Sequence, residues 1–438
     1  MTHSIGIRKE DKNKWERRVP VVPADLEKLA QSENLKFKVQ SSPIRIFSDQ
    51  SFEQAGAEIS GELETTPVVL AVKEIPKDLL VKNTTYMFFS HTVKGQSYNM
   101  DMLRQLMDKK CSLIDYERIA DDQGRRLVFF GRHAGLAGMV DTLRALGQRM
   151  IHEGIPQTPL GEIKAAYQYE DLGACKTHLK QIGEKIVQNG IPGMTGPLVV
   201  GFAGYGNVSA GAQEILYNFP VETVLPGDLA QLTASKTFDP CKLYKVVFRE
   251  QDMFCPLDPS RSFDLNTYFT RPELYTGCFE TFLPHLTVLV NCIYWDTPYP
   301  VLVTKQYLKQ AYGKGKSPRL KVIGDITCDI EGSIACTTKA TPPDNPVYVY
   351  DPETGRVTDG VQGPGPVIMA VDNLPCEFPK EASETFSRAL FPFLPALARA
   401  DYTTDFNRLD LPAELKRAMI LFKGEFTEDY RFMEKFLS

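Results

Sequence analysis

A lysine and a histidine stand just beyond two apolar runs of the sequence, and both residue types suit proton transfer. Lys73 ends the run VVLAVK, and His91 follows the run YMFFS. In open α/β sheets the carboxyl ends of parallel strands line the ligand crevice, so both side chains are expected there. Burial lowers the pKa of a lysine, and histidine titrates near neutral pH. The pair predicts general acid/base catalysis, and the alternative for each residue is a solvated strand end.

A glycine-containing turn predicts a dinucleotide site. The apolar run LVVGFA leads into Gly204-Tyr-Gly206-Asn207-Val208-Ser209, and helical spacing follows. Gly204 permits a tight turn, Gly206 lets the backbone approach a pyrophosphate, and the small Ser209 allows close packing. The start of the following helix stabilises the anion. The alternative is an ordinary strand–helix turn that binds nothing.

The form of the nucleotide depends on the residue that binds the adenosine ribose. That residue is normally an acid at the end of the second strand of the fold. The sequence predicts this strand over VETV, which places Leu225 at the position and Glu222 too early. A missing carboxylate removes repulsion against a 2′-phosphate, although no Arg or Lys follows closely. The sequence therefore favours NADP(H) slightly, with NAD(H) as the alternative.

Further charged residues lie beside predicted strand or turn ends. The arginine pairs Arg17-Arg18 and Arg125-Arg126 are of a type that binds carboxylates bidentately, and surface charge is the alternative. Asp325 ends the apolar run RLKVIGDI. It is expected to face the nicotinamide side of the crevice or, alternatively, to cap a loop.

Composition excludes several classes of protein. The chain has 438 residues, with 50 Lys+Arg, 55 Asp+Glu and a net charge of −5, which offers no attraction to nucleic acid or anionic lipid. No apolar run is long enough to cross a bilayer, and the start has no secretory leader. We therefore expect a cytoplasmic protein, and a removed organellar transit peptide is left open. Nine scattered cysteines without C-x-x-C argue for free thiols and against a metal site.

The elements that must position these residues alternate between strand and helix patterns. Such alternation is typical of a parallel sheet with helices on its faces, and the pattern restarts near Pro197. The spacing predicts a helix over 133–152 that links two domains, and the Pro-, Gly- and Asp-rich stretch 340–366 predicts a second crossing. The expected fold is α/β, with two Rossmann-like domains and a cleft between them. The expected boundaries are 1–150 with 340–438 for the substrate domain and 151–339 for the dinucleotide domain.

Motifs along nearly the whole chain carry a family resemblance. They are RKEDKNKWERRVP, FFSHTVKGQ, LIDYERI, FFGRHAGLAGM, GYGNVSAGAQ, VNCIYWD, GDITCDIEGSI and VDNLPCEFPKEAS. Together they resemble the lysine–ketoglutarate reductase half of aminoadipic semialdehyde synthases, in the alanine dehydrogenase/saccharopine dehydrogenase superfamily. The resemblance implies two Rossmann-like domains, the substrate domain being built from both chain ends. It also implies that a nicotinamide reduces the imine of L-lysine and 2-oxoglutarate to saccharopine.

The resemblance also implies residue roles. Lys73 would exchange a proton with the reacting nitrogen, and His91 would act on the carbinolamine oxygen as water leaves. The implied substrate-pocket residues are Arg18, Lys94, Glu117, Arg126 and Phe130. The implied cofactor-turn residues are Gly204, Gly206, Asn207, Val208 and Ser209.

Two departures from the family keep alternatives open. The chain has no room for a saccharopine-cleaving half, and Lys73-Glu74 is closer to the single-function, lysine-forming saccharopine dehydrogenases. One alternative is another opine-type or amino-acid dehydrogenase of the same superfamily. A second is a nucleotide-binding module without turnover. In each case the expected partners are small molecules, with no nucleic acid, membrane or metal, and a homo-oligomer is left open.

Overall fold

The protein folds into two compact α/β units. A computed structural model describes residues 3–64, 66–235, 237–313 and 316–437. One unit contains residues 1–130 and 379–438, and the other contains residues 131–378. Each is built on an eight-stranded, mainly parallel sheet with helices. The predicted fold class is confirmed.

The amino-terminal part of the first unit alternates strands and helices. α1 begins at a proline, whose fixed φ suits a first helical turn, and ends at Asn34 in the left-handed region (φ 54°). The elements are β1 (Ser4–Ile7), α1 (Pro23–Glu33), β2 (Lys36–Gln40), α2 (Asp49–Gln54), β3 (Glu58–Ser60), β4 (Val68–Leu70), β5 (Thr85–Phe88), α3 (Ser97–Asp108) and β6 (Ser112–Asp115). These strands lie in the order β6-β5-β4-β1-β2-β3, and all are parallel.

The second unit buries its central strands on both faces. Leu198, Val200 and Phe202 pack in one apolar core, whereas Val199 and Ala203 pack in another. A strand covered on both sides needs a continuous apolar sequence, which explains the run LVVGFA. The elements are α4 (Gly131–His152), α5 (Leu172–Asn189), β7 (Leu198–Ala203), α6 (Asn207–Leu216), β8 (Val221–Thr223), α7 (Leu229–Ala234), β9 (Leu243–Phe248), α8 (Glu250–Met253), β10 (Phe254–Pro256), α9 (Leu265–Thr270), β11 (Tyr275–Gly277), β12 (Val288–Asn291), α10 (Lys305–Ala311), β13 (Val322–Asp325), β14 (Val347–Tyr350), β15 (Val357–Asp359) and β16 (Val367–Met369).

The strand order of the second sheet corrects one prediction. The order is β15-β14-β16-β13-β12-β7-β9-β8, so β9 lies beside β7 and β8 lies at the edge. β8 follows β7 in the chain, and the sequence argument took it as the neighbouring strand. The assignment of Leu225 to the position after that neighbour is therefore wrong, because Leu225 follows the edge strand.

The carboxyl-terminal segment returns to the first unit. It contains α11 (Pro379–Leu390), α12 (Leu394–Arg399), α13 (Ala413–Arg417), β17 (Met419–Phe422) and β18 (Glu425–Phe426). β17 pairs antiparallel with β6. The hydroxyls of Ser383 and Ser387 accept hydrogen bonds from the backbone N–H groups of Val19 and Val22, at 3.0 and 3.1 Å. Both chain ends therefore build one unit, as expected.

The structure moves both predicted domain boundaries. α4 belongs to the second unit, where it packs against α6, so the first boundary falls at 130/131 and not at 150/151. β14, β15 and β16 pair within the second sheet, so the stretch 340–366 is not a crossing and the second boundary falls at 378/379. Among the described residues, no helix combines the length and apolar character that a bilayer crossing demands.

Candidate functional site

The predicted acid/base pair stands at the carboxyl edge of the first sheet. β4 and β5 are adjacent and parallel, with Leu70 opposite Met87. Lys73 lies three residues beyond the end of β4, and His91 lies three residues beyond the end of β5. The chain order reverses between β1 and β4, which is where open α/β sheets bind ligands.

The surroundings of Lys73 favour its neutral amine. Its backbone N–H and that of Val72 donate to the Glu10 carboxylate at 3.0 and 2.7 Å, which holds this segment in place. Burial lowers the pKa of Lys73, and the nearby positive charge of Arg18 lowers it further. A lowered pKa increases the fraction of Lys73 in the neutral form, which is the form that can accept a proton.

A carboxylate that the sequence argument did not assign orients His91. The Nδ1 atom of His91 lies 2.6 Å from Oε1 of Glu74, whose Oε2 accepts from Nζ of Lys12 at 2.9 Å. Although burial opposes it, these two partners hold the pKa of Glu74 below its usual range. The ionised Glu74 therefore fixes the proton on Nδ1 and leaves Nε2 as the nitrogen for exchange with a substrate.

The backbone of His91 is unusual for a side chain of this size. Its φ is +48°, in the left-handed region. The side-chain amide of Asn99 donates to the backbone oxygens of Ser90 and His91, at 3.0 and 3.3 Å, and holds this turn.

Two further buried acids support the same edge. Burial, and then repulsion from Glu16, raises the pKa of Glu10 to about 7. Burial raises the pKa of Asp115 to about 6. Asp115 accepts from the backbone N–H groups of Ser90 and Glu117, at 3.1 and 2.8 Å, and so joins the ends of β5 and β6. These acids could have been found from the sequence, because each lies inside or beside an apolar strand, where a charged residue is unusual.

The predicted carboxylate binder Arg18 is engaged within the protein. It is buried, and its Nε and Nη2 atoms donate to Glu16 at 2.7 and 2.5 Å. The guanidinium carbon lies 4.4 Å from the centroid of the Phe130 ring, and that ring stacks on Phe386 at 4.6 Å. Any role of Arg18 and Phe130 in binding substrate remains a prediction.

The other predicted pocket residues lie in loops beyond β5 and β6. Nη1 of Arg126 is 4.0 Å from Oε1 of Glu117, and both side chains are more than a third exposed. Lys94 is exposed, three residues beyond His91. Their exposure leaves the two cations accessible to an anionic ligand, and the resemblance implied carboxylate binding for Arg126 and a place in the same pocket for Lys94.

The glycine turn of the second unit has the geometry expected for a dinucleotide site. Gly204 has φ 94°, and its N–H donates to the backbone oxygen of Phe248 at 3.1 Å. A Cβ atom at Gly206 would meet nothing within 4 Å, so the space over this backbone is open. α6 then starts at Asn207 without a side-chain cap, which leaves its first N–H groups available to an anion.

Glycines also fix the helix that follows the turn. A Cβ at Gly135 of α4 would lie 1.9 Å from the backbone oxygen of Val208, and one at Gly211 would lie 2.1 Å from that of Arg132. The backbones of α4 and α6 are therefore in direct contact. Ser209 is fully buried, and its Oγ accepts from Nε2 of Gln213 at 2.9 Å. This packing fixes α6 relative to the sheet.

Three side chains gather where β7 and β9 end. Ala203 pairs with Phe248, the last residue of β9, and Arg249 follows it. The guanidinium carbon of Arg249 lies 4.7 Å from the centroid of the Tyr205 ring, which is 45% exposed. The Tyr205 hydroxyl donates to Glu250 at 3.2 Å. This group was not predicted from the sequence, because β8, the next strand along the chain, was expected beside β7 where the structure has β9.

Asp325, predicted at the cofactor, is enclosed by the protein at the end of β13. It accepts from Nδ2 of Asn291 at 2.8 Å and from Oγ1 of Thr337 at 2.5 Å, and burial raises its pKa to about 6. It braces the loop that follows β13, and its contact with a cofactor remains a prediction. Within the described ranges, no group of His, Cys, Asp and Glu could hold a metal ion.

Comparison with known proteins identifies relatives of this chain. Residues 6–137 match the family "Alanine dehydrogenase/PNT, N-terminal domain". The alpha-aminoadipic semialdehyde synthase of Arabidopsis thaliana is 38% identical over 98% of this chain, which spans only 41% of that relative's length. The lysine-forming, NAD(+) saccharopine dehydrogenase of Yarrowia lipolytica is 26% identical, over 92% of this chain and 95% of the relative.

A solved structure supports the fold independently. An L-alanine dehydrogenase superposes with a TM-score of 0.63 at 16% identity, covering 99% of this chain and 100% of that one. Likeness at this level of identity establishes the α/β fold alone. Residues 6–137 are thus similar to the alanine dehydrogenase/PNT amino-terminal domain, and the chain is similar to part of the alpha-aminoadipic semialdehyde synthases and to saccharopine dehydrogenases.

Proposed function

We propose that the protein is an NAD(P)H-dependent reductase that condenses L-lysine with 2-oxoglutarate to form saccharopine. The observation that carries the proposal is the placement of Lys73 and the His91–Glu74 pair beyond adjacent strands. Their residue types match the two proton transfers that such a condensation requires. The relatives named for semialdehyde synthase and saccharopine dehydrogenase activities support the same reaction.

The residues of the first unit act on protons. Lys73 takes a proton from the substrate ammonium, and the free amine attacks the ketone to give a carbinolamine. His91, oriented through Nδ1 by Glu74, donates a proton to the carbinolamine oxygen as it leaves as water. Arg126 and Lys94 are exposed cations suited to the carboxylates of a keto-diacid.

The second unit would hold the nicotinamide cofactor, which when bound would supply the hydride for reduction of the imine. Gly204 and Gly206 shape the turn, and the first N–H groups of α6 bind the pyrophosphate, with Asn207, Val208 and Ser209 as its first residues. We propose NADP(H) as the preferred form.

Turnover with a panel of amines tests the proposal. NADPH and NADH oxidation is followed by absorbance, with 2-oxoglutarate and lysine, ornithine, alanine or glutamate as the amine. Oxidation that requires both lysine and 2-oxoglutarate supports the proposal. Faster oxidation with a different amine assigns the protein to another dehydrogenase of this type, and nucleotide binding without turnover refutes catalysis.

A further inference from the structure

The strand order of the second unit points to the residue that binds the adenosine ribose. The chain runs from β7 through α6 to the edge strand β8, and only then returns to β9, between β8 and β7. β9 pairs in parallel with β7 from Leu198 opposite Leu243 to Ala203 opposite Phe248. β9 therefore occupies the position that the second strand holds in a Rossmann fold.

The residue beyond that position is an arginine. In dinucleotide-binding folds, the side chain at the end of the strand beside the glycine turn contacts the adenosine ribose. Here Phe248 ends β9, and its backbone oxygen accepts a hydrogen bond from the N–H of Gly204. Arg249 therefore directly follows the residue that contacts the turn. Leu225 follows β8 and is one strand further from the turn.

The side chain of Arg249 is already directed at the turn. Its guanidinium lies over the Tyr205 ring, and Tyr205 stands between the two glycines of the turn. Stacking on an aromatic ring orders a guanidinium while its N–H groups remain able to bind an anion. Arg249 is exposed, so a ligand can reach it.

We propose that Arg249, held by Tyr205, binds the 2′-phosphate of NADP(H) and makes this nucleotide preferred over NAD(H). A guanidinium binds phosphate through paired, charge-assisted hydrogen bonds. A carboxylate at this position would instead bind the ribose hydroxyls and repel the phosphate. The proposal rests on the dinucleotide site proposed above and names the form of nucleotide that it accepts.

Glu250 is the competing candidate, because a carboxylate there could bind the ribose hydroxyls of NAD(H). It is one residue further along, in the first turn of α8, and its oxygens accept the Tyr205 hydroxyl at 3.2 and 3.4 Å. In that contact Glu250 fixes the ring on which Arg249 lies. The two candidates predict opposite nucleotide preferences.

The test measures binding apart from turnover. Isothermal titration of the full chain uses 2′-phospho-ADP-ribose and ADP-ribose, which carry the adenosine half with and without the 2′-phosphate. We expect the wild-type protein to bind the phosphorylated probe more tightly. In Arg249→Ala the affinity for that probe should fall about 10- to 100-fold, and that for ADP-ribose should change less than about threefold.

Matched variants separate the two strand assignments. Arg249→Lys should retain part of the preference, because it keeps the charge without the paired hydrogen bonds. Leu225→Asp places a carboxylate after β8 and should leave the ratio of the two affinities unchanged. Equal binding of both probes by the wild-type protein, or an unchanged ratio in Arg249→Ala, would overturn the proposal, as would loss of preference in Leu225→Asp.

The same titration distinguishes this proposal from the proposed reaction. If no amine supports turnover but Arg249→Ala binds 2′-phospho-ADP-ribose more weakly than the wild type does, the proposed reaction is wrong and the role of Arg249 is supported. If lysine supports turnover but both probes bind equally, the reaction stands and Arg249 has no such role. If neither probe binds, Arg249 does not have the proposed role, and the proposed reaction then stands or falls on the turnover assay.

Discussion

The two sheets of this protein present different chemistry at the same kind of edge. In the first sheet, charged side chains follow the strands: Lys73 beyond β4, His91 beyond β5 and the buried Asp115 at the end of β6. In the second sheet, β7 is followed by glycines and by uncapped backbone N–H groups. Parallel strands deliver either kind of group to the edge, so the residue types decide whether the edge moves protons or binds an anion.

Substitutions at the two edges should therefore have different effects. Changes at the first should reduce the rate and leave nucleotide affinity intact, whereas changes at the second should do the reverse.

Replacing Lys73 with Met should lower kcat by about 100- to 10,000-fold, because the proton acceptor for the substrate amine is lost. Nucleotide affinity, measured by fluorescence titration, should stay within about twofold. Lys77→Met is the matched control, since Lys77 is half exposed and pairs with Asp101 at the surface. Unchanged turnover in Lys73→Met would remove this residue from the mechanism.

Replacing Gly206 with Val should weaken nucleotide binding by about 100-fold or more, since a side chain would fill the open space over the turn. Fluorescence titration with NADPH measures this loss, and circular dichroism checks that the fold is kept. Gly227→Val, also in open space, serves as the control. Tight binding by a folded Gly206→Val would show that the pyrophosphate lies elsewhere.

Replacing Gly135 with Ala should destabilise the second unit by about 3 kcal/mol, because a Cβ would lie 1.9 Å from a backbone oxygen of α6. Thermal unfolding followed by calorimetry measures the change. Gly227→Ala adds the same methyl group where there is room for it, and its unfolding temperature should match the wild type. An equal effect of both substitutions would contradict the close contact of α4 and α6.

Between pH 5 and 8 the free energy of unfolding should fall as the pH rises, and replacing Glu10 with Gln should reduce that fall by about 1–2 kcal/mol. The pKa of Glu10, about 7 in the folded protein, is above its ordinary value of 4.5. The folded state thus binds this proton more tightly than the unfolded chain does, and the resulting stabilisation is complete below about pH 4.5 and lost as pH rises through 7. In Glu10→Gln, the free energy of unfolding should fall less between pH 5 and 8.

Urea unfolding at several pH values provides the measurement for Glu10. The exposed Glu53→Gln on α2 is its control and should follow the wild-type profile. A Glu10→Gln profile parallel to the wild type would mean that this carboxyl titrates normally in the fold.

Local patterns predicted much of the fold. Apolar runs and helical spacing located β4, β5, β7 and α4, since each depends on a few consecutive residues. Helical spacing over 380–399 predicts a single helix, but the structure has α11 and α12 separated by a 3-10 turn at Phe391–Phe393, where Pro392 lacks the N–H that a helix requires. Strand order was not accessible in this way, because the pairing of β9 with β7 depends on contacts between distant residues.

The residues of the candidate site also fall into those that a local pattern predicts and those that it does not. Lys73 and His91 were predicted because each directly follows an apolar run. Glu10 and Glu74 were missed, since their roles come from contacts with Lys73 and His91 that the fold brings about. Glu16 was missed although its partner Arg18 is only two residues away, because its burial was not evident from the sequence. Burial inverts the usual expectation that a glutamate is a surface residue, and burial is a property of the whole fold.

The chain passes through the edge strand β8 before it reaches β9, which affects how cofactor preference is read from related sequences. Arg249 stands 45 residues after Gly204, although a search for cofactor preference ordinarily inspects about 20. A scan with that fixed interval would stop near Leu225, which lies beyond the edge strand β8 and not beyond the strand beside β7. If Arg249 binds the 2′-phosphate as proposed, homologues with this strand order should instead be sorted by the residue that follows the strand corresponding to LYKVVF.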